Sequence, residues 1–300
     1  MFSRYRTYFI LLTLTLSVLW HGCKDPLPIV FTADVINIIG PLTDISTPLK
    51  DPVALTTVDS SGWEIISNDT SYNAIALLST IQYDSATTHH QVVLSKVLVQ
   101  DRSQPVYNSS QTQLVGYKGL QLSQIEGDDV PMHIEKRRVP IGLGDTALGY
   151  QYSAVNIDNE GPDNSLHYRE GEIFNWTVQL QNANPVNIGG IPPGLIRLIQ
   201  PSPDSVEILD VNKECTIQWL GSNESVDLVI SDYYNGSVKP LKHINFQHIQ
   251  SNTAKIDIHE IPVGQCLFTF STTTEVTSNI NGIPILLRFA SIHNVVVRMK

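Results

Sequence analysis

The sequence predicts an all-β protein built from two antiparallel β-sandwich domains. Apolar residues rarely recur at the three- or four-residue spacing of a helix for more than one turn. Instead, short runs rich in β-branched residues are separated by turns of Gly, Pro, Asn, Asp and Ser, with about ten residues per strand and turn. The strands predicted in this way include 29–39, 63–66, 215–220, 266–271 and 294–299. This spacing is typical of sandwiches, and 300 residues exceed what one sandwich usually requires, so we expect two domains.

Residues 1–22 have the pattern of a secretion signal. Arg4 and Arg6 precede an uncharged apolar run over residues 8–19. The run is shorter than the ~20 residues that a membrane-spanning helix needs. We therefore expect it to be a cleaved targeting segment.

The end of this leader reads Leu19-Trp20-His21-Gly22-Cys23, which resembles the lipobox of bacterial lipoproteins. The resemblance implies that Cys23 becomes the mature N-terminus and carries acyl chains that anchor the protein to a membrane. The following Lys24-Asp25 resembles in part the surface-export signal of Bacteroidetes lipoproteins. Outer-membrane or cell-surface display is therefore expected, with a periplasm-facing position as the alternative. An ordinary secretion signal beside an unmodified cysteine is the alternative to lipidation.

The charge of the chain argues against nucleic acid as a partner. The formal net charge is −10, and removing the two leader arginines leaves 17 basic and 29 acidic side chains, or −12. The densest basic stretch, Lys136-Arg137-Arg138, is an isolated triplet without interleaved aromatics.

Composition predicts the domain boundary. Residues 183–193 contain three prolines, two glycines and no charge, which favours a linker, or alternatively a long loop. The predicted organisation is a lipidated tether over 23–28, an N-terminal β domain over 29–182, this linker, and a second β-sandwich over 194–300.

Three motifs of the second domain resemble the extracellular immunoglobulin-like module of Ser/Thr-rich anchored wall proteins. They are Leu198-Ile199-Gln200-Pro201, Cys215-Thr216-Ile217-Gln218-Trp219 and the stretch Ile261-Pro262-Val263-Gly264-Gln265-Cys266. The resemblance implies an immunoglobulin-like sandwich with Trp219 in its core.

Two cysteines fall in this module. With a period of two, Cys215 shares a face with Ile217 and Trp219, while Cys266 shares one with Phe268 and Phe270. Because immunoglobulin-like domains often join their sheets by a bridge beside a core tryptophan, the resemblance implies a Cys215–Cys266 disulfide. Two buried free thiols are the alternative.

Tyr233 and Tyr234 precede Asn235-Gly236, a strong hairpin signal. Adjacent strand residues point to opposite faces, so both rings cannot enter the core. We therefore predict that Tyr233 and Tyr234 contribute to a binding site. The alternative is that one of the two rings packs in the core.

Catalytic and metal-binding patterns are weak. The histidines are scattered, and the acidic stretches 126–129 and 158–164 lack the spacing of a calcium loop. We therefore predict no catalytic residue, metal or cofactor.

These observations favour a non-catalytic, lipid-anchored protein of the cell envelope that binds a protein or a glycan through the loops of its β domains. A carbohydrate-processing hydrolase with its site in the N-terminal domain is one alternative. A structural spacer is the other.

Overall fold

The computed structural model describes residues 72–84, 89–107, 114–141, 144–157, 165–202, 208–221, 225–234, 237–247 and 252–300. Within these ranges the chain forms strands and turns and no helix, which confirms the all-β prediction. No helix long and apolar enough to cross a membrane occurs in this part of the chain. The leader, Cys23 and the strands predicted over 29–39 and 63–66 lie outside the described residues.

Seventeen strands are described. They are β1 (Ala74–Asp84), β2 (His89–Tyr107), β3 (Leu114–Gly119), β4 (Gln124–Gly127), β5 (Val130–Pro131), β6 (His133–Ile141), β7 (Gly144–Ile157), β8 (Phe174–Gln179), β9 (Val186–Gly190), β10 (Arg197–Gln200), β11 (Ile208–Leu209), β12 (Cys215–Leu220), β13 (Ser225–Tyr234), β14 (Ser237–Gln247), β15 (Thr253–Ile256), β16 (Gly264–Ile280) and β17 (Ile283–Met299).

The strands form three sheets. The largest has ten strands, in the order β14-β13-β16-β17-β1-β2-β3-β7-β6, with β11 paired to β17. A sheet of β10-β12-β15 and a sheet of β5-β4-β8-β9 complete the structure. Most neighbours are antiparallel, but β1 and β17 run parallel along all eleven residues of β1. The predicted antiparallel pattern is therefore interrupted at the centre of the large sheet.

One face of the ten-stranded sheet, which we call the core face, packs against both small sheets and forms two hydrophobic cores. In the first core Trp176 of β8 lies 5.4 Å from Phe289 of β17, measured between ring centroids. In the second, Trp219 of β12 lies 5.1 Å from Phe270 of β16. β17 contributes to both cores, so one strand connects them.

The predicted linker over 183–193 is wrong. This segment contains β9, which pairs with β8 and buries Ile188 in the first core. Its glycines serve close packing, because a Cβ on Gly190 would lie 2.7 Å from the Phe289 ring. Strands from both sides of the predicted boundary also share the ten-stranded sheet, so the boundary cuts through one continuous sheet.

Candidate functional site

The cysteine pair differs from the predicted disulfide. Cys215 and Cys266 form no disulfide with each other, and both are buried, on β12 and β16, in the second core. The Cys215 thiol makes a weak 3.8 Å contact with the carbonyl oxygen of Thr216. Both residues act as small apolar side chains, which corrects the predicted bridge.

The tyrosine pair lies at the predicted hairpin. β13 and β14 pair antiparallel up to Tyr234 opposite Ser237, which confirms the hairpin. Tyr233 is partly buried and packs with Ile81, Leu267 and other residues of the ten-stranded sheet. The side chain of Tyr234 lies outside the described residues. The structure thus describes Tyr233 as a packing residue, and a binding role for the pair stays a prediction.

The acidic stretch at 126–129 is a hairpin turn. Asp128 and Asp129 have φ angles of 45° and 63° and connect β4 to β5, as in a two-residue turn with positive φ at both central positions. The Asp128 carboxylate accepts the backbone N–H of Asn175 at 2.8 Å. Burial raises the pKa of this carboxyl group above its usual value. In the described ranges no group of three or more His, Cys, Asp or Glu side chains could hold a metal ion.

A groove opens where strand β7 extends beyond its partner β6. β6 begins at His133, which lies opposite Ser153, and β7 continues for four more residues to Ile157. On its other edge this end of β7 still pairs with β2. The groove at this point has a volume of about 470 Å³. It is lined by Val130, Pro131, His133, Glu135, Ser153, Ala154, Val155, Asn156, Ser165 and Leu166.

The polar end of the groove is centred on Glu135. Its carboxylate accepts the Ser153 hydroxyl at one oxygen and the Gln151 amide, at 2.7 Å, at the other. Gln151 lies directly opposite Glu135 in the strand register, which holds the carboxylate in place. A carboxylate has about four acceptor positions, so Glu135 retains capacity for incoming donors.

The other end of the groove is apolar. Val155 is 54% exposed and Ile157, at the end of the same strand, is 66% exposed. Val130, Pro131 and Leu166 line the groove together with Val155. The Asn156 amide donates to the carbonyl oxygen of Leu166 at 2.7 Å and fixes the 165–166 segment beside β7. The groove thus combines an anionic end with exposed aliphatic side chains.

A second polar cluster, which the sequence did not indicate, is buried between the two cores. His293 Nε2 lies 3.0 Å from the Asp84 carboxylate, and its Nδ1 accepts the backbone N–H of Leu198 at 2.9 Å. Arg197 lies 3.6 Å from the same carboxylate. Because His293 and Asp84 are nearly inaccessible to solvent, this cluster joins strands rather than facing a ligand.

Comparisons with known proteins add little to this description. No protein-family model and no curated protein matches the chain. A crystal structure of DIP-gamma IG1+IG2 is 8% identical, with a TM-score of 0.19, and the likeness covers 76% of this chain and 97% of that chain. The yeast delta-COP-I mu-homology domain is 8% identical, with a TM-score of 0.24, over 76% of this chain and 98% of that chain. Similarities this low carry no argument, so the all-β class rests on the strands themselves.

Proposed function

We propose that this chain is a lipid-anchored cell-envelope protein that binds an extended segment of a partner protein in the groove between β6 and β7. The observation that carries the proposal is the juxtaposition of the Glu135 carboxylate with the exposed side chain of Val155 in one open groove. Ile157, two residues further along β7, is also exposed. The part of the fold in which the β10-β12-β15 sheet packs on β13, β14, β16 and β17 is proposed to be immunoglobulin-like, as the three motifs imply.

The geometry of the strands favours an extended ligand. β6 begins opposite Ser153, so beyond that point a segment that continues the line of β6 would lie along β7. Side chains alternate along an extended peptide, which lets every second residue contact Val155 and Ile157. Extended segments added beside a strand are a common mode of peptide recognition.

Charge favours a cationic partner segment. Glu135 offers a carboxylate whose position is fixed by Ser153 and Gln151, and hydrogen bonds to an ionised group are stronger than neutral ones. The formal charge of −10 for the chain also attracts a basic partner over longer distances. An extended segment that carries aliphatic residues and a Lys or Arg two positions apart presents them on one side, and so it matches both ends of the groove.

The lipid anchor of the proposal rests on the leader and Cys23, which lie outside the described residues. The lipid anchor would hold the bound partner at the cell envelope. The binding groove would be the same with or without this anchor.

The probe for this proposal is a fluorescein-labelled synthetic peptide, Val-Ser-Val-Ser-Lys, titrated into the full-length protein and followed by fluorescence anisotropy. We expect saturable binding that weakens about tenfold in Glu135→Gln, because the loss of one charge-assisted hydrogen bond costs about 1.5 kcal/mol. Val155→Ser should also weaken binding, because it removes an apolar contact without adding a charge.

The matched control is Glu260→Gln, which removes the same charge from an exposed turn between β15 and β16. It should bind the peptide as the unmodified protein does. Equal affinity in all three variants would show that the groove is not the binding site. Binding of a glycan without binding of this peptide would refute the proposed protein partner.

A further inference from the structure

Strand β10 is attached to the ten-stranded sheet by side chains instead of by a neighbouring strand. One edge of β10 pairs with β12, and among the described residues no strand pairs with its other edge. On β17, the Ser291 hydroxyl accepts the N–H of Ile196 at 2.9 Å, and Nδ1 of His293 accepts the N–H of Leu198 at 2.9 Å. Because backbone N–H groups inside a protein need acceptors, these two side chains do for β10 what a paired strand would otherwise do.

The two acceptors differ in their response to pH. A hydroxyl oxygen keeps its lone pairs across the physiological range, so Ser291 can accept the Ile196 N–H at any of these pH values. An imidazole nitrogen accepts only while it carries no proton, and histidine is the side chain that ordinarily changes charge between pH 5 and pH 8. Because Nε2 of His293 donates to Asp84, an added proton would go to Nδ1, which faces the Leu198 N–H. Two N–H donors would then point at one another.

The charged groups around His293 lie on two elements. Asp84 of β1 is 3.0 Å from Nε2, and Arg197 of β10 is 3.6 Å from the same carboxylate. The residues opposite His293 in the sheet are neutral, with Gln82 on β1 and Phe270 on β16. The response of the ring to a proton therefore depends on Asp84, Arg197 and the Leu198 N–H.

These groups decide which contact a proton breaks. A carboxylate stabilises a positive charge at hydrogen-bond distance, so a doubly protonated ring would keep its contact with Asp84. Arg197 weakens that attraction, but it belongs to β10 and is half exposed, so it can move away together with this strand. His89 of β2 lies opposite Asp84 in the strand register and is the other titratable residue at this position. The contact that a proton removes is thus the one between His293 and Leu198.

We propose that β10 is a pH-sensitive latch, held to the ten-stranded sheet by the neutral ring of His293 and released when this ring gains a second proton. In the neutral state the latch fixes the edge of the β10-β12-β15 sheet against β17. In the protonated state the N–H edge of β10 separates from β17 and becomes accessible to solvent. This inference is independent of the ligand groove, which lies at β6 and β7.

The test is hydrogen exchange of the full-length protein at pH 7.5 and pH 5.5, read out by mass spectrometry and corrected for the intrinsic effect of pH on exchange. After this correction, peptides that cover residues 195–200 should exchange about tenfold faster at pH 5.5. The reason is that the loss of one buried hydrogen bond changes a local opening equilibrium by about that factor. Peptides from β8, in the first core, should show no such acceleration.

Two variants assign the effect to one side chain. His293→Gln removes the titrating ring but keeps a neutral side chain with an acceptor oxygen, so residues 195–200 should exchange equally at both pH values. The matched control is His243→Gln, because His243 contacts Asp227 on β13 instead of a backbone N–H of β10. This control should keep the acceleration at pH 5.5. If His293→Gln does not fold, the comparison of residues 195–200 with β8 in the unmodified protein still tests the latch.

Three results would overturn the proposal. Equal corrected exchange of residues 195–200 at the two pH values in the unmodified protein would show that no proton releases β10. Acceleration that persists in His293→Gln would assign the effect to another group. Acceleration of the same size in β8 would show that acid loosens the whole fold instead of one strand.

Discussion

His293 and Asp84 contact one another inside the protein although 209 residues separate them in the chain. Their strands, β17 and β1, lie side by side in parallel at the centre of the ten-stranded sheet. Because His293 Nδ1 accepts the N–H of Leu198, the ring proton must be on Nε2, where it donates to the carboxylate. One imidazole thus connects the large sheet to β10 of the small sheet.

This contact predicts the effect of removing the imidazole. His293→Ala leaves the Asp84 carboxylate and the Leu198 N–H without their buried partner, so the free energy of unfolding should fall by about 3 kcal/mol. The measurement is urea unfolding followed by tryptophan fluorescence. His133→Ala, an exposed histidine, is the control and should change stability by less than about 0.5 kcal/mol. If His293→Ala and His133→Ala unfold at similar urea concentrations, the buried His293 contact does not stabilise the fold as proposed.

The shared sheet predicts that the two cores unfold together. Ile217→Ala removes a fully buried side chain from the second core and should cost about 3 kcal/mol. Because β17 contributes to both cores, hydrogen exchange should accelerate in β8 of the first core as well as in β12. The measurement is hydrogen exchange in low urea, read out by mass spectrometry of peptides from β8 and β12. Faster exchange restricted to β12 would mean that the cores are independent domains.

The buried thiol of Cys266 predicts a dependence of stability on alkaline pH. Burial raises the pKa of the Cys266 thiol to about 11, and the nearby Asp232 carboxylate adds to the shift. An unfolded thiol has a pKa of ~8.5, so between about pH 9 and pH 11 the unfolded chain loses a proton that the folded chain keeps. The free energy of unfolding should therefore fall as pH rises through this window.

Urea titrations at pH 8, 9, 10 and 11 measure that slope, with Cys266→Ala as the matched variant, whose slope should be smaller. Alkylation by iodoacetamide should label Cys215 and Cys266 only after denaturation, because both thiols are buried. Labelling of either thiol in the native protein would contradict its buried position. Resistance to alkylation that persists in denaturant without reductant would indicate the disulfide instead.

The leader predicts the location of the protein. Cys23→Ala removes the side chain that would carry the lipid. Because the acyl chains are the proposed attachment to the bilayer, the variant should no longer be held there. We expect the variant in the soluble fraction after ultracentrifugation, and we expect the unmodified protein in the membrane fraction with the mass of a lipidated Cys23. A variant that stays in the membrane after leader cleavage would refute lipid anchorage.

The local pattern of the sequence was sufficient to predict individual strands. β12 was predicted with its bounds because Cys215, Ile217 and Trp219 alternate with polar residues, and the structure buries those three side chains. β16 and β17 are far longer than predicted, since polar residues such as Thr272 and Thr273 continue β16 by pairing with β17, which runs alongside it over its whole length. The sequence did not predict β9, because its two adjacent glycines are typical of a loop. The reason for a glycine in this strand is the close contact of Gly190 with the Phe289 ring, which only the structure shows.

Relationships between distant strands could not be predicted in this way. The His293–Asp84 contact depends on the parallel pairing of β1 with β17, for which no local signal exists. The groove depends on where β6 begins relative to β7, a register that side-chain alternation alone does not fix. His133 and Glu135 are two residues apart and so lie on one side of β6, but that they meet Ser153 is evident only from the pairing of β6 with β7.

The most direct test of the binding proposal is hydrogen exchange of the full-length protein with and without the Val-Ser-Val-Ser-Lys peptide, read out by mass spectrometry. Bound peptide should slow exchange in peptides that span residues 130–135 and 153–156, which contain most of the groove lining, and Glu135→Gln should abolish most of that protection at the same peptide concentration. Protection that instead appears at the β13–β14 hairpin, or that persists unchanged in Glu135→Gln, would contradict the assignment of the groove as the binding site.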